Sequence, residues 1–343
     1  MAGNKSLNAS LKAKNNEFYT RLEDIENELK YYKQHFKGKV ILCNCDDPRV
    51  SNFFHYFSYN FEQLGLKKLI TTCYKNQERD LFSQNKSEQA IWLEYKGDKN
   101  GNRVPDPEEI GINYFRGDGD FRSEECIELL KQADIVVTNP PFSSLFREYV
   151  AQLMEYNKKF VIIGNQNAIH YKEIFPLIKQ NKLWTGYTYP KLFRIPDEAT
   201  GKSVKIIDGI KYQQFGYICW YTNLDIQKRH EEVVLYKKYN EIEHPKYDTF
   251  DAIECKPETN IPVDYYGLMG VPITFIDKYN PDQFEIVGIL NHGCDSEYDF
   301  AKPILNGIEK FPRIIIRRKQ PAYNQSEEQL RQAAEPKLDY GNK

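Results

Sequence analysis

The sequence contains no long apolar run and no cysteine or histidine pattern typical of a metal site. No stretch approaches the ~20 apolar residues of a membrane-spanning helix. Residues 1–16 are polar and basic, without the apolar segment of a signal peptide. The seven cysteines are scattered, with no C-x-x-C pair and no spacing suited to zinc. We therefore expect a soluble cytoplasmic protein with free thiols and without a metal.

A strong excess of positive charge is also missing. The chain has 47 Lys and Arg residues against 49 Asp and Glu residues, a formal net charge of −2. A nucleic-acid partner would therefore have to bind to local clusters of basic residues. One such cluster follows a run of three isoleucines and consists of Arg317, Arg318 and Lys319. These cations are as compatible with a solvated strand end as with contacts to phosphate.

Strands and helices alternate in the pattern of the first half of the chain. Apolar residues recur at helical spacing between Leu22 and Phe36. Short runs of β-branched and apolar residues predict buried strands at 40–44, 69–74, 133–138 and 160–164. A further strand is expected to close at 117–121. Because the loops are short, this alternation predicts an α/β fold, with a doubly wound and mostly parallel sheet covered by helices on both faces.

The alternation of strands and helices ends at about residue 185, after which glycine, proline and tyrosine are frequent. Extended segments then replace the helices, and strands are expected at 217–221, 233–236, 284–290 and 313–317. A chain of 343 residues is long enough for a full core and for two domains. We therefore expect a smaller, β-rich C-terminal region beside the α/β domain.

The most informative tetrapeptide is Asn139-Pro140-Pro141-Phe142, which directly follows the predicted strand 133–138. Proline fixes its own φ at about −65° and restricts the residue before it, so Asn139 would be held extended. The side-chain carbonyl of Asn139 and the backbone carbonyl of Pro140 could accept the two N–H groups of a planar amine. Phe142 could stack on a nucleobase, a contact worth about 1–3 kcal/mol. The alternative is a proline-rich turn closed by a core aromatic residue.

Together with this motif, four further stretches resemble the adenine-specific DNA methyltransferases, and more narrowly the EcoRI modification methylase family. They are residues 16–20 (NEFYT), 43–53 (CNCDDPRVSNF), 117–123 (GDGDFRS) and 269–275 (MGVPITF). The resemblance implies S-adenosylmethionine as the methyl donor, no metal, and double-stranded DNA as the substrate. It also implies transfer of the methyl group to the 6-amino group of an adenine that has flipped out of the duplex.

The resemblance also assigns roles to individual residues. The catalytic residues are Asn139, Pro140, Pro141 and Phe142. The cofactor-binding residues lie before strand one, in the loop after it and at the expected end of strand three, and they are Phe18, Tyr19, Thr20, Asn44, Asp46, Asp47, Asp120 and Phe121.

Two features depart from the common pattern of such enzymes. The loop at 44–48 after strand one contains no glycine, and strand two ends at 72–74 without the acidic residue that commonly binds ribose hydroxyls. Asp46 or Asp47 could still pair with the ammonium group of the cofactor. S-adenosylmethionine has no phosphate, so a glycine-rich cradle is not required.

DNA recognition is expected mainly in residues 186–320. The candidate DNA-binding residues are basic, and for each the alternative role is solubility; they are Arg194, Lys202, Lys205, Lys211, Arg317, Arg318 and Lys319. The expected organisation is a disordered N terminus at 1–15, a cofactor-binding and catalytic domain at 16–235, a target-recognition region at 236–325 and a frayed tail at 326–343. The catalytic domain would include an insertion at 75–110 and a DNA-facing segment at 186–216.

The expected mechanism is direct in-line methyl transfer, without a metal, a covalent enzyme intermediate or a histidine base. The resemblance implies a GAATTC-like site and a restriction endonuclease as a functional rather than physical partner; it allows action as a monomer but leaves the oligomeric state open. Methylation of a protein glutamine or of an RNA base are alternatives, because Asn-Pro-Pro-aromatic also suits other planar nitrogens. A non-catalytic DNA-binding subunit with the same fold is a further alternative.

Overall fold

A computed structural model describes residues 19–44, 51–73, 90–102, 105–106, 109–140, 145–195, 197, 203–293 and 296–320. Contacts within the chain divide it into two compact units, the first ending at Lys228 and the second beginning at Arg229.

The strands of the first unit are β1 (Tyr19–Thr20), β2 (Val40–Cys43), β3 (Lys68–Thr72), β4 (Ile91–Tyr95), β5 (Gly111–Tyr114), β6 (Ile135–Thr138), β7 (Lys159–Asn165), β8 (Trp184–Thr185), β9 (Leu192–Arg194), β10 (Val204–Ile207), β11 (Ile210–Gln214) and β12 (Ile218–Thr222). Within the described residues, eight of them form one sheet in the order β5-β4-β3-β2-β6-β7-β12-β8. Its centre is parallel, because β3, β2, β6 and β7 all run in the same direction. The antiparallel neighbours are β4 on one side and β12 on the other. The expected mixed α/β fold with parallel strands is thus confirmed.

The helices of this unit are α1 (Leu22–Leu29), α2 (Lys33–Phe36), α3 (Asn52–Tyr59), α4 (Phe61–Leu64), α5 (Glu124–Gln132), α6 (Leu145–Glu155) and α7 (Phe175–Lys179). A short 3-10 helix at Gln166–His170 follows β7. The aromatic face of α3 enters the core, where the Phe57 ring meets Phe36 edge-on at 5.3 Å and Phe53 meets Trp220 at 6.2 Å. None of the described helices has the length and apolar content that membrane crossing requires.

A second sheet of the first unit has the strand order β1-β9-β11-β10. All its pairings are antiparallel, with Tyr19 opposite Arg194 and Tyr212 opposite both Arg194 and Lys205. Strand β1 therefore joins the segment that precedes the first strand of the main sheet to residues 192–214.

The second unit is built on a five-stranded sheet with the order β13-β14-β19-β15-β16. Its strands are β13 (Ile253–Glu254), β14 (Leu268–Pro272), β15 (Phe284–Leu290), β16 (Asp299–Ala301) and β19 (Arg313–Arg318), while β17 (Ile304–Leu305) and β18 (Ile308–Glu309) form a separate hairpin. The three isoleucines at 314–316 are fully buried in the central strand β19. Arg313 is also buried, and its guanidinium is paired with Glu254 at 2.8 Å.

Three local predictions were wrong. The helix expected between Leu22 and Phe36 is interrupted after Leu29, because the Tyr31 and Tyr32 amides bond three residues back rather than four. The strand expected to close at 117–121 already ends at Tyr114, and carboxylates at 118 and 120 accept local backbone N–H groups that form turns instead. No strand forms at 233–236, where the Val233 backbone is bonded to the side chain of Gln283.

Candidate active site

Two asparagines lie at neighbouring strand ends in the centre of the main sheet. Asn44 follows β2 and Asn139 follows β6, and both side chains are buried. The hydroxyl of Thr138 donates a hydrogen bond to the Asn44 carbonyl, which ties the two strand ends together. The chain leaves β2 toward β3 on one side and reaches β6 on the other. At such a reversal of strand order, open α/β sheets bind their ligands beyond the carboxyl ends of the strands.

The described part of the proline motif consists of Asn139 and Pro140. Both residues are buried directly after the fully buried strand β6. The β-branched side chains of β6 fix this strand in the core, so the position of Asn139 is set by the sheet rather than by a mobile loop. Pro141 and Phe142 lie outside the described residues, and their assigned roles stay predictions.

Tyr149 of α6 connects two of the residues assigned to the cofactor. Its hydroxyl donates to Asn44 Oδ1 at 2.5 Å, and its ring meets Phe121 edge-on at 5.1 Å. The Gln152 side chain, one turn further along α6, donates to the Phe121 carbonyl at 3.1 Å. From the sequence alone, Tyr149 belongs only to the apolar face of a helix. The signal that could have identified it is its hydroxyl, because a buried tyrosine hydroxyl needs a hydrogen-bond partner.

Residues 117–122 form a tight loop against the end of β3. Gly119 has a φ of +75°, and a Cβ atom there would lie 2.5 Å from the Cys73 carbonyl oxygen and 2.9 Å from the Ala90 Cβ. Only glycine combines this conformation with so close an approach. The Cys126 thiol donates to the Gly119 carbonyl at 3.4 Å. The loop therefore places Asp120 and Phe121 at the carboxyl end of the sheet, beside β3.

Asp120 carries a negative charge in this loop. The Arg122 guanidinium donates two hydrogen bonds to its carboxylate, at 2.8 and 2.6 Å, and this contact lowers the pKa of Asp120. The same guanidinium lies 5.4 Å from the centre of the Phe121 ring. Asp120 is thus ionised and held in place, with Arg122 as a positioning residue that the sequence reading did not single out.

The segment before the main sheet lies next to the start of α3. The Asn52 side chain donates to the Thr20 carbonyl at 2.7 Å, and Asn52 is the first residue of the helix that follows the loop after β2. The Thr20 hydroxyl is buried and has no hydrogen-bond partner among the residues that the structure describes. This polar atom fits a ligand with donors or acceptors of its own, such as the amino-acid end of S-adenosylmethionine. Phe18, Asp46 and Asp47 lie outside the described residues.

Two of the candidate DNA-binding residues share one face of the four-stranded sheet. Residues that are paired across neighbouring strands point to the same face, so the register places Tyr19, Arg194, Tyr212 and Lys205 in one row. Arg194 and Lys205 are exposed. Lys211 lies on the opposite face and donates to the Asp197 carbonyl. Lys202 lies outside the described residues.

The other three candidates belong to the second unit. The Arg317 guanidinium pairs with the Glu285 carboxylate at 2.7 Å, with both side chains largely exposed. Arg318 donates to the Val263 carbonyl and lies 5.1 Å from the centre of the Tyr266 ring. Lys319 is exposed. The two arginines therefore have protein partners that DNA phosphates would have to share or displace.

Known proteins that are similar to this chain identify its family. Residues 6–339 match the family described as adenine-specific methyltransferase EcoRI. The chain belongs to this family. The family resemblance predicted from the sequence is confirmed, and the protein is a methyltransferase of the adenine-specific class.

Three relatives support the assignment. The Type II methyltransferase M.EcoRI of Escherichia coli is 48% identical over 326 residues, which cover 93% of this chain and 98% of the relative. M.MgeORF184P of Mycoplasma genitalium is 39% identical, covering 91% and 98% of the two chains. M.MpnI of Mycoplasma pneumoniae is 40% identical, covering 82% and 85%. No solved structure matches the chain. Among the described residues, no group of three or more metal-binding side chains is found.

Proposed function

We propose that this methyltransferase transfers a methyl group from S-adenosylmethionine to the 6-amino group of an adenine in double-stranded DNA. In this proposal the main sheet is a doubly wound methyltransferase fold, and the second unit is the target-recognition region. The observation that supports it most directly is the buried pair Asn139 and Pro140 at the end of β6, next to Asn44 at the end of β2. This is where an open sheet can hold a donor beside an acceptor.

The donor would lie across the carboxyl ends of β2 and β3. The residues that would hold it are Thr20, Asn44, Asp120 and Phe121, with Phe18, Tyr19, Asp46 and Asp47 as further contacts. When bound, S-adenosylmethionine supplies a methyl group on a positively charged sulfur, which is already electrophilic. The Asp120 carboxylate would accept hydrogen bonds from the donor's nucleoside, while Phe121 would offer an apolar surface to its ring. The Thr20 hydroxyl would bind the amino-acid end.

The catalytic residues would act on the adenine amine. Its lone pair is delocalised into the ring, so it is a weak nucleophile in the plane of the base. Asn139 Oδ1 and the Pro140 carbonyl would accept its two N–H groups and hold the nitrogen in line with the methyl group. Removing one preorganised hydrogen-bonding group from an active site typically costs about 10²–10³ in rate. Pro141 would keep the backbone rigid, and Phe142 would stack on the flipped base.

Basic side chains would bind the DNA phosphates. Arg194, Lys202, Lys205 and Lys211 in the first unit and Arg317, Arg318 and Lys319 in the second are the proposed contacts. The site would be GAATTC-like, the enzyme would act as a monomer in the cytoplasm, and a restriction endonuclease would be its functional partner. Each phosphate contact that is lost should reduce the salt dependence of DNA binding by about one unit of slope.

The test is a labelled-methyl assay on random-sequence duplex DNA, followed by mapping of the modified base. Asn139→Ala should retain donor binding and lose methylation by about 10² or more. The matched control is Asn223→Ala, because the Asn223 side chain bonds to the Phe160 amide and the Lys158 carbonyl near the start of β7, at the opposite end of the sheet from Asn139. Near-normal turnover by Asn139→Ala, or label incorporated only into protein or RNA, would refute the proposal.

A further inference from the structure

The hairpin formed by β10 and β11 ends in an exposed apolar tip. Ile206 is 68% exposed and Ile207 is 41% exposed, and they are the last two residues before the turn. The turn residues Asp208 and Gly209 have φ angles of +51° and +77°. Two consecutive positive φ angles are typical of the tight two-residue turns that hold a hairpin rigid. The tip is therefore a stiff apolar projection rather than a frayed loop.

The hairpin carries two lysines in its strands and an aspartate in its turn. Lys205 is exposed two residues before Ile207 on the same face, and Lys211 is opposite Ile206 on the other face. Phosphates would be attracted by these lysines and repelled by the Asp208 carboxylate. If the hairpin binds DNA, its two lysines therefore suit the DNA phosphates. Its turn suits the bases, because the Asp208 carboxylate can accept a hydrogen bond from the cytosine amino group.

The dimensions agree with this division. A strand advances ~3.3 Å per residue, so Ile207 lies about 7 Å beyond Lys205 along the strand. DNA grooves are roughly 7.5–8.5 Å deep, and the major groove is wide enough for a two-stranded ribbon. When Lys205 contacts phosphates at the rim of a groove, the isoleucines therefore reach the depth of the base pairs.

Backbone pairings also connect the hairpin to the segment that is proposed to bind the methyl donor. Arg194 of β9 pairs with Tyr212 of β11 on one side and with Tyr19 of β1 on the other. The next residue of β1, Thr20, is bonded to the first residue of α3, which follows the loop after β2. A continuous set of backbone pairings thus joins the tip to the segment proposed to bind the donor.

We propose that the β10–β11 hairpin is a wedge that enters a groove of the bound duplex. Ile206 and Ile207 pack against the base pairs next to the target and stabilise the state in which the adenine has left the stack. Proteins that bind the minor groove frequently insert apolar side chains that separate base steps in this way. This inference rests on the proposed function, since it names the element that opens the DNA for the same reaction.

The test compares the double variant Ile206→Ala/Ile207→Ala with the wild type. The probe is a duplex with the methylated site mapped for the wild type and with 2-aminopurine in place of the target adenine, whose fluorescence rises when the base leaves the stack. The variant should lose most of this fluorescence increase, and its kcat/KM on the unmodified duplex should fall about tenfold. Its affinity for S-adenosylmethionine and the salt dependence of DNA binding should not change.

A second hairpin of the chain provides the matched control. Strands β17 and β18 are joined by Asn306 and Gly307, which also have positive φ angles, and Ile308 beside them is 61% exposed. The amide of Gly307 is bonded to the Asp248 carboxylate at 2.7 Å, so a carboxylate lies directly against this turn. At saturating enzyme, Ile308→Ala should keep the full fluorescence increase of the wild type.

The outcomes separate the two proposals. A wild-type enzyme that methylates no DNA refutes the proposed function. An active wild type whose double variant keeps fluorescence and kcat/KM within twofold refutes the wedge. Ile206→Thr/Ile207→Thr retains β-branched side chains and guards against a misfolded hairpin, and its circular dichroism should match that of the wild type. Equal fluorescence loss in this variant and in the alanine variant supports the wedge.

Discussion

Gly119 offers a sharp test of how the loop at 117–122 is held at the end of the sheet. A methyl group on this residue would lie 2.5 Å from the Cys73 carbonyl oxygen, closer than real Cβ contacts come. Its φ of +75° adds the strain of a left-handed alanine, about 1–2 kcal/mol. Overpacking against backbone typically costs a further ~1–3 kcal/mol unless the loop moves away.

Gly38 is the matched control for the backbone strain. Its φ is +72°, and nothing lies within 4 Å of the position of its Cβ. Gly38→Ala should therefore cost only the left-handed strain, about 1–2 kcal/mol in the free energy of unfolding. Gly119→Ala should cost more than this control, and the excess measures the close approach to β3.

The functional consequence is expected at the donor. If the loop relieves the clash by moving, Asp120 and Phe121 move with it, and the Kd for S-adenosylmethionine should rise about tenfold, or ~1.4 kcal/mol. Urea unfolding gives the stability of both variants, and calorimetric titration gives the Kd. Equal destabilisation of the two variants, together with a wild-type Kd for Gly119→Ala, would refute the reasoning.

Two further predictions concern buried titratable groups. Burial raises the pKa of Glu28, although the Tyr32 hydroxyl and the Tyr187 amide donate to its carboxylate at 2.8 and 2.9 Å. The folded state therefore holds the Glu28 proton more tightly than the unfolded state does. The stability advantage of the wild type over Glu28→Gln should decline as the pH rises from the ordinary carboxyl range through the raised pKa. Urea unfolding from pH 5 to 8 measures this difference in stability, and a difference that stays constant would contradict the prediction. Burial raises the pKa of the Cys219 and Cys255 thiols to about 12. Alkylation near pH 8, followed by mass spectrometry, should therefore leave both thiols unmodified until the protein unfolds. Rapid labelling of either thiol in the native protein would be inconsistent with this burial.

The central strands could be predicted from the sequence because their signal is local. Strands β2, β3, β6 and β7 begin and end no more than two residues from the predicted limits. Parallel strands that are buried on both faces are continuous runs of β-branched and apolar residues, and such runs are visible without any knowledge of the neighbours. The same strands carry Asn44 and Asn139, so the position of these two residues at one sheet edge followed from the order of elements.

The remainder depends on contacts between distant residues. Tyr149 bonds to Asn44 across 105 positions, and Tyr187 bonds to Glu28 across 159. The strand expected to close at 117–121 is replaced by turns, in which carboxylates bind local amides. The segment 233–236 has the composition of a strand but forms its backbone bonds with a glutamine side chain. Local patterns do not contain such choices, because they depend on what tertiary contacts bring near.

Under the proposed function, the end of β2 would not need a glycine-rich sequence to bind the methyl donor. Glycine-rich loops let backbone amides approach a phosphate, and S-adenosylmethionine has none. Here the end of β2 presents a side-chain amide instead, and Tyr149 donates to the oxygen of that Asn44 amide. An amide whose oxygen is occupied in this way can still donate through its two N–H groups, which would suit the carboxylate of S-adenosylmethionine. Under the proposed function, a side-chain amide would thus take the place of backbone amides as the hydrogen-bond donor to S-adenosylmethionine at this strand end.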